Sequence, residues 1–368
     1  MRVLITGANG FIGKNLVVRL NEIKDIDVVK FSRKNSMSEL ASMCSEIDFV
    51  VHLAGVNRPK NDSEFTAGNE TLTNILCDAL SMTGRKIPVI YSSSIQADQN
   101  NPYGQSKLSS EQTIAAYSVS TGSKSYIYRL PNVFGKWCKP NYNSVVATFC
   151  HNIANDLDIQ INDPNVSLNL VYIDDVVEEF MSVLTKRKKS EKAEISPVYS
   201  IKLGKLAEQI RAFRDSRKYL NIDRVGLGLT RCLYATYLSY QKPENFSCNL
   251  IKNSDKRGSF VEVLKTVDSG QFSYFTSKPG ETRGEHYHHT KNEKFLVVSG
   301  KAKFRFRNII TNEDYTVHTS DEKPQIVETI PGWAHDITNI GQSEMVVLLW
   351  ANEIFDKENP DTYAYRIG

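Results

Sequence analysis

The sequence predicts an α/β domain built on a doubly wound, Rossmann-like parallel sheet, followed by an all-β domain of jelly-roll type, and three observations predict it. Up to about Arg187 short apolar runs alternate with amphipathic stretches, a glycine-rich turn follows the first run, and beyond Ser247 only short alternating runs remain.

The first run, RVLI from Arg2, leads into Thr6-Gly7-Ala8-Asn9-Gly10-Phe11-Ile12-Gly13 and an amphipathic helix. Glycines at 7, 10 and 13 permit a tight turn, close approach of backbone to a pyrophosphate, and tight helix packing, with the helix N-terminus facing the anion. Thr6, Gly7, Asn9, Gly10, Phe11, Ile12 and Gly13 are therefore candidate cofactor-binding residues.

The second run ends in VVKFSRKNS, where an acidic residue would bond the ribose 2′-hydroxyl of NAD. Ser32, Arg33 and Lys34 stand there instead, which favours a 2′-phosphate and hence NADPH. The competing reading makes Arg33 and Lys34 solvated loop charges.

The runs FVVHLAG, PVIYSSS, SYIYRLP and LNLVYID complete the strand and helix repetition. Within VIYSSSIQADQNNPYGQSK, Ser92, Ser93 and Ser94 end a strand, and Tyr103 and Lys107 lie four apart at the start of a helix, on one face. A phenol with an ordinary pKa near ~10 is a poor acid at neutral pH, and a neighbouring ammonium lowers that value; Lys107 is the expected perturber. Ser94 would hydrogen-bond a sugar carbonyl oxygen while Tyr103 supplies the proton and a nicotinamide the hydride.

A helical stretch near Lys205 to Tyr219 precedes LSYQKPENFSCNLIKNSDKRG, where Pro243, Asn245, Ser247 and Asn249 break the periodicity. The boundary is placed there, giving domains 1–246 and 247–368. FLVVS, KFRFR and MVVLLW then alternate with turn residues, the texture of a double-sheet barrel. In GEHYHHTKNEKFLVVSG, His286 and His288 at spacing two project from one strand face, and a short turn returns Glu293 beside them. His289 and His318 read as surface imidazoles.

The chain has 368 residues, enough for two cores, with 45 basic against 42 acidic residues and no charged arm for nucleic acid. No apolar stretch approaches the roughly 18 to 20 residues that span a bilayer, and the N-terminus reads as a buried strand rather than a signal peptide; the expectation is a soluble cytoplasmic protein. The six cysteines are scattered without a C-x-x-C pair, as reduced structural thiols are.

The glycine loop, Ser94, Tyr103 and Lys107, HLAG from His52 to Gly55, RLPNVFG with Arg129, Asn132 and Gly135, and VYIDDVV around Asp174 and Asp175 together resemble the extended short-chain dehydrogenase/reductase superfamily, over roughly residues 1 to 245. That resemblance implies that Leu53, Ala54 and Gly55 bind the cofactor, that Leu130 and Pro131 flank the nicotinamide and that Asn132 contacts substrate. His52 reads as a packed strand residue rather than a catalyst, and Asp175 as a helix cap. The superfamily's dehydratases carry an acid directly after the catalytic Ser or Thr; here Ile95 and Gln96 follow Ser94 and the next acid is Asp98, so carbonyl reduction is favoured.

Gly280, His286, His288, Glu293 and Gly300 fit the first cupin motif, and Gly332, His335 and Asn339 resemble the second, although Pro331 stands one place late. The resemblance supplies His335 as a fourth ligand and suggests Zn²⁺, whereas the ligand set alone suits zinc, iron, manganese or nickel. DKRGSFVEV from Asp255 is similar to the first strand of deoxysugar 3,5-epimerases, cupins that act on 4-keto sugar nucleotides. The general base is left open between His289, Lys294 and several tyrosines.

The two parts resemble, over essentially the whole chain, a family of bifunctional capsular polysaccharide enzymes that join an extended reductase to a cupin. This implies C3 epimerisation of a UDP-linked 4-keto deoxyamino sugar in the cupin and NADPH-dependent C4 reduction in the first domain. The product would be UDP-2-acetamido-2,6-dideoxy-β-L-talose, toward UDP-N-acetyl-L-fucosamine, and the enzyme a zinc-bearing homodimer. Read from residues alone, the chain is a nicotinamide-dependent sugar-nucleotide reductase fused to a metallocupin. Two rivals stand: a reductase whose cupin only dimerises or binds, and a non-catalytic NADPH-sensing regulator, which commonly lacks the Ser, Tyr and Lys set.

Overall fold

A computed structural model describes residues 1–59, 61, 63–187 and 192–368. Contacts within the chain divide it into two units, Met1–Ile210 with Cys232–Gln241, and Arg211–Arg231 with Lys242–Gly368. The division therefore falls at Lys242, five residues before the expected boundary, and also inside the helix Leu203–Tyr219. Part of the reason is that Asn221–Ile222 adds a short parallel strand to the second unit, pairing with Lys265 and Thr266.

The first unit is built on five parallel strands, β1 (Arg2–Thr6), β2 (Asp27–Phe31), β3 (Phe49–His52), β4 (Val89–Ser94) and β5 (Ser125–Leu130), in the order β2-β1-β3-β4-β5. β3 and β4 are buried along their whole length, as strands covered on both faces must be. Leu4, Val50, Val89 and Tyr91 pack with Leu40, Leu76, Leu80 and Ile114 from the helices on one face.

One expected strand lies elsewhere. LNLVY belongs to β7 (Ser167–Tyr172), which pairs in parallel with β6 (Asn132–Phe134) and antiparallel with β8 (Tyr199–Lys202) in a separate three-stranded sheet. Its apolar pattern shows that it is a strand, while its partner depends on pairing far away in sequence.

Because the five strands run in parallel, Thr6, His52, Ser94 and Leu130 all end at one edge of the sheet, in register as Thr6 with His52 and Ser94 with Leu130. The strand order reverses at β1, so the carboxyl edge there is open to a ligand.

The second unit holds two sheets. In spatial order one runs Lys252–Asp255, Gly258–Thr266, Gln271–Ser277, Met345–Ala351, Glu293–Ser299 and Ile326–Glu328; the other runs Asp314–Ser320, Lys301–Asn308, Trp333–Asn339, Thr282–Tyr287 and Tyr363–Ala364. Period-two alternation sends Ala302, Phe304 and Phe306 inward, where they meet Phe275, Phe295, Val297 and Val347 of the facing sheet.

Among the described residues no helix is long and apolar enough to cross a membrane. None of the six cysteines forms a disulfide; Cys248 is exposed and the other five are buried.

Candidate functional sites

At the end of β1 the chain turns through Gly7, φ 71°, and enters the helix Phe11–Asn21. A Cβ on Gly13 would stand 2.3 Å from the Gly7 carbonyl oxygen and 2.8 Å from the Ala8 Cα, so only glycine lets this helix lie so close to the turn. The cap residue Gly10 offers no side chain, which leaves the first helical N–H groups facing outward beside exposed Asn9. Phe11 and Ile12 are half-buried against this turn. The residues present fit a dinucleotide pyrophosphate.

Thr6 does its work inside the protein. Its hydroxyl accepts the N–H groups of Leu53 and Ala54, both at 3.2 Å, and lies 2.6 Å from His52 Nδ1. On the far side of the ring His52 Nε2 stands 3.0 Å from Thr73 Oγ1, whose own proton goes to the Asn69 carbonyl at 2.6 Å. Thr73 can then only accept, so Nε2 carries the imidazole proton and Nδ1 accepts from Thr6. Burial, reinforced by Lys107, lowers the His52 pKa to about 3, and the ring stacks on Tyr91 with centroids 5.4 Å apart. His52 is a neutral tie between strands that shapes the Leu53-Ala54-Gly55 loop.

Asn69 holds the same loop from the other side, accepting from Val56 N–H at 2.8 Å and donating to Val56 O at 3.1 Å and Ser106 Oγ at 2.8 Å. At the end of β2, Ser32 N–H and Oγ both donate to Asn35 Oδ1, at 3.0 and 3.2 Å, while Arg33 is exposed.

Ser94, Tyr103 and Lys107 are brought together at the carboxyl edge. Asn101 caps the helix Pro102–Thr121 by accepting from Gly104 N–H at 2.8 Å, which puts Tyr103 in its first turn. Burial raises the Tyr103 pKa, and a hydrogen bond with Ser94 opposes the rise. Lys107 reaches deep into the fold, donating to Ser92 O at 2.9 Å with its ammonium 4.9 Å from the Tyr91 ring centre. Burial brings its pKa down to about 8, and Glu111 works against that fall.

Glu111, one turn beyond Lys107, was not singled out in the sequence, although the spacing of four could have revealed it. Its carboxylate accepts from Ser93 Oγ and, at 2.7 to 3.2 Å, from Nε and Nη2 of Arg129. Arg129 Nη1 also donates to Asp98 at 2.6 Å. Leu130 is buried, Pro131 half-buried and Asn132 exposed, with Asn132 Nδ2 donating to Asn169 O at 3.3 Å. Asp175 is not a cap: Tyr172 occupies that position, and Asp174 and Asp175 lie in the first helical turn.

In the second unit a register shift between Gly284 and His286, with Glu285 at φ 61°, sets His286 opposite His335 across the sheet. His286, His288, Glu293 and His335 converge, each offering one ligand atom, and these atoms lie within 4.8 Å of one another. Glu293 Oε2 is 3.4 Å from His288 Nε2 and 3.5 Å from His335 Nε2. Among the described residues, His286 Nε2 and both ring nitrogens of His335 are buried without a hydrogen-bond partner. Buried lone pairs without donors, beside a carboxylate, are what a divalent metal satisfies, so the donor set fits one. His288 Nδ1 donates to Asp361 O at 2.5 Å, which leaves the lone pair of Nε2 to face the cluster.

A cavity of about 290 Å³ opens beside the cluster, lined in part by Phe260, Phe275, Phe304 and Leu349 with Arg283 and Lys291. Of the candidate bases, exposed His289 packs against Tyr363, and Lys294 pairs with Glu328. Lys291, which the sequence reading passed over, is buried 3.0 Å from Glu293 Oε1.

Residues 3–201 match the model of the NAD dependent epimerase/dehydratase family, and residues 253–363 match the polysaccharide biosynthesis C-terminal domain. The chain is 55% identical over 369 residues to the UDP-2-acetamido-2,6-beta-L-arabino-hexul-4-ose reductase of Pseudomonas aeruginosa, covering 100% of this chain and 99% of the relative. The crystal structure of the capsular polysaccharide assembling protein CapF from Staphylococcus aureus superposes with a TM-score of 0.93 at 44% identity, covering 100% of both chains. UDP-glucuronic acid 4-epimerase from Bacillus cereus, solved in complex with NAD, shares the fold of 65% of this chain at 18% identity, with 98% of that chain covered and a TM-score of 0.54. An epimerase/dehydratase domain at the N-terminal side, a polysaccharide biosynthesis domain after it and similarity along the whole length together place this chain in the CapF family of capsular polysaccharide proteins.

Proposed function

We propose that the chain is a nucleotide-sugar 4-keto reductase of polysaccharide biosynthesis that also epimerises its substrate at the metal cluster. The observation that carries the reductase reading is the gathering of Ser94, Tyr103 and Lys107 at the sheet edge beside the glycine turn, in a chain related over its full length to a UDP-hexulose reductase.

A bound nicotinamide supplies the hydride. Ser94 Oγ and the Tyr103 hydroxyl hold the C4 oxygen, and Tyr103 gives it the proton that reduction requires. Lys107 ties the strand end at Ser92, while Glu111 and Arg129 tie Ser93, so the strand bearing Ser94 is fixed on both sides. Asp98, the acid nearest in sequence after Ser94, is engaged by Arg129, which favours reduction over elimination of water. Exposed Arg33 is free to meet a 2′-phosphate, so the reading takes NADPH as the cofactor.

A carbon beside a ketone is acidic, so a 4-keto sugar can invert at C3 before reduction. Zinc bound by His286, His288, Glu293 and His335 would polarise the ketone oxygen. The cavity beside it has apolar walls and two cations, half-buried Arg283 and buried Lys291, which suits a sugar whose charge grows on oxygen. Epimerisation is reversible, whereas reduction removes both ketone and acidity and so fixes the configuration. The full reading is C3 epimerisation of a UDP-2-acetamido-2,6-dideoxy-4-hexulose, then C4 reduction to UDP-2-acetamido-2,6-dideoxy-β-L-talose, toward UDP-N-acetyl-L-fucosamine, by a cytoplasmic homodimer.

NADPH oxidation with the 4-keto UDP sugar tests the reductase. Tyr103→Phe lowers kcat at least ~100-fold while cofactor binding persists, the size of a lost general acid. Activity within tenfold of the unaltered enzyme contradicts the assignment.

A further inference from the structure

The loop that joins His288 to Glu293 makes almost none of its own hydrogen bonds. The N–H groups of His289, Thr290 and Lys291 donate to the carboxylate of Asp361 at 2.9, 2.7 and 2.7 Å, and Thr290 Oγ1 adds a fourth bond at 3.0 Å. The next N–H, that of Asn292, donates to Asn352 Oδ1 at 2.9 Å. Asp361 also presents its backbone carbonyl to His288 Nδ1. One residue, over seventy positions away in sequence, therefore fixes both the tautomer of a ligand and the path of the chain to the next ligand.

The segment around Asp361 is itself seated on the ligand strand. Tyr363 and Ala364 pair with Tyr287 and His286, and Tyr365 N–H donates to Glu285 O at 2.7 Å. The Tyr363 ring stacks on Tyr287 with centroids 5.4 Å apart. Burial opposes ionisation of Asp361, but the N–H groups of His289, Lys291 and Thr290 outweigh it and hold the carboxyl well below the usual range.

We propose that residues 361–365 form a strap that sets the geometry of the metal cluster, with Asp361 as a positioning residue for His288 and Glu293. A carboxylate that accepts three successive backbone N–H groups holds the loop in one path, and loss of such support typically costs 10- to 100-fold in metal affinity. The inference rests on the metal reading of the four ligands. It adds that the strap and the metal stabilise each other, since whatever orders the loop favours metal and metal in turn holds the loop.

The test is zinc binding to metal-stripped full-length protein in competition with a chromophoric chelator. Asp361→Ala weakens zinc binding about 10- to 100-fold. Asp321→Ala, which removes the acceptor for Gly300 N–H elsewhere in the same unit, stays within threefold. Equal affinity in Asp361→Ala and the unaltered chain overturns the strap, and so does an equal loss in both variants. An unaltered chain that takes up no zinc overturns the metal reading and the strap with it, a result distinct from the other two. If Asp361→Ala does not fold, hydrogen exchange of the unaltered chain decides: zinc slows exchange at the 289–291 amides if the strap is coupled to the metal, and unchanged exchange there overturns the proposal.

Discussion

Lys107 donates to the backbone carbonyl of Ser92 at 2.9 Å, two residues short of Ser94. A helix residue thus holds the end of the strand that carries Ser94, and it does so as a cation buried at a cost.

The pH dependence follows from that cost. Burial lowers the Lys107 pKa from 10.5 in the unfolded chain to about 8 in the fold. Between those values the unfolded chain binds a proton that the folded one has lost, so stability rises with pH across this window, by roughly 3 kcal/mol in total. Below pH 8 both states are protonated and the full penalty remains. Lys107→Met, compared with the unaltered chain in denaturant unfolding at pH 8 and pH 10, lacks this rise; equal pH slopes in both proteins contradict it.

His52 provides a second test, because its place in the sheet edge could be mistaken for that of a catalyst. With a pKa near 3 and both nitrogens engaged, its ring stays neutral across pH 5 to 8. The His52 Cε1–H resonance should not move over that range. His52→Asn should cost about 1 to 3 kcal/mol of stability by breaking the tie to Thr6 and Thr73, without shifting the pH profile of NADPH oxidation. A shifted profile would make the imidazole part of the chemistry.

Much of this was legible from spacing. Glycines at 7, 10 and 13, the pair Tyr103 and Lys107, and the alternation that sends Ala302, Phe304 and Phe306 inward all depend on local periodicity, which a sequence displays. What was hidden depends on pairing across long separations. Nothing near LNLVY says that its neighbours are β6 and β8 rather than β5. Nothing in the irregular stretch before Tyr363 says that Asp361 caps a loop seventy residues earlier. The depth of Lys107 was hidden for a different reason: helical spacing gives its face, but how far a flexible chain reaches is set by the acceptor it finds, here Ser92 O.

In the proposed reading cofactor choice turns on Arg33, which stands exposed after β2 where an acid would select NAD. Arg33→Ala should weaken NADPH binding at least ~10-fold, the scale of a lost charge-assisted hydrogen bond, and leave NADH binding nearly unchanged. Fluorescence titration with each cofactor measures it. Parallel losses for both would assign Arg33 to the loop's own structure.

The claim that the metal cluster is a second catalytic site is tested most directly by proton NMR of the 4-keto UDP sugar with the protein in D₂O, without NADPH. The account predicts deuterium appearing beside the ketone, and its loss in His288→Ala, which removes a buried member of the cluster. No exchange with the unaltered, zinc-loaded protein would contradict it, leaving a reductase with a metal-binding domain that does no chemistry on this sugar.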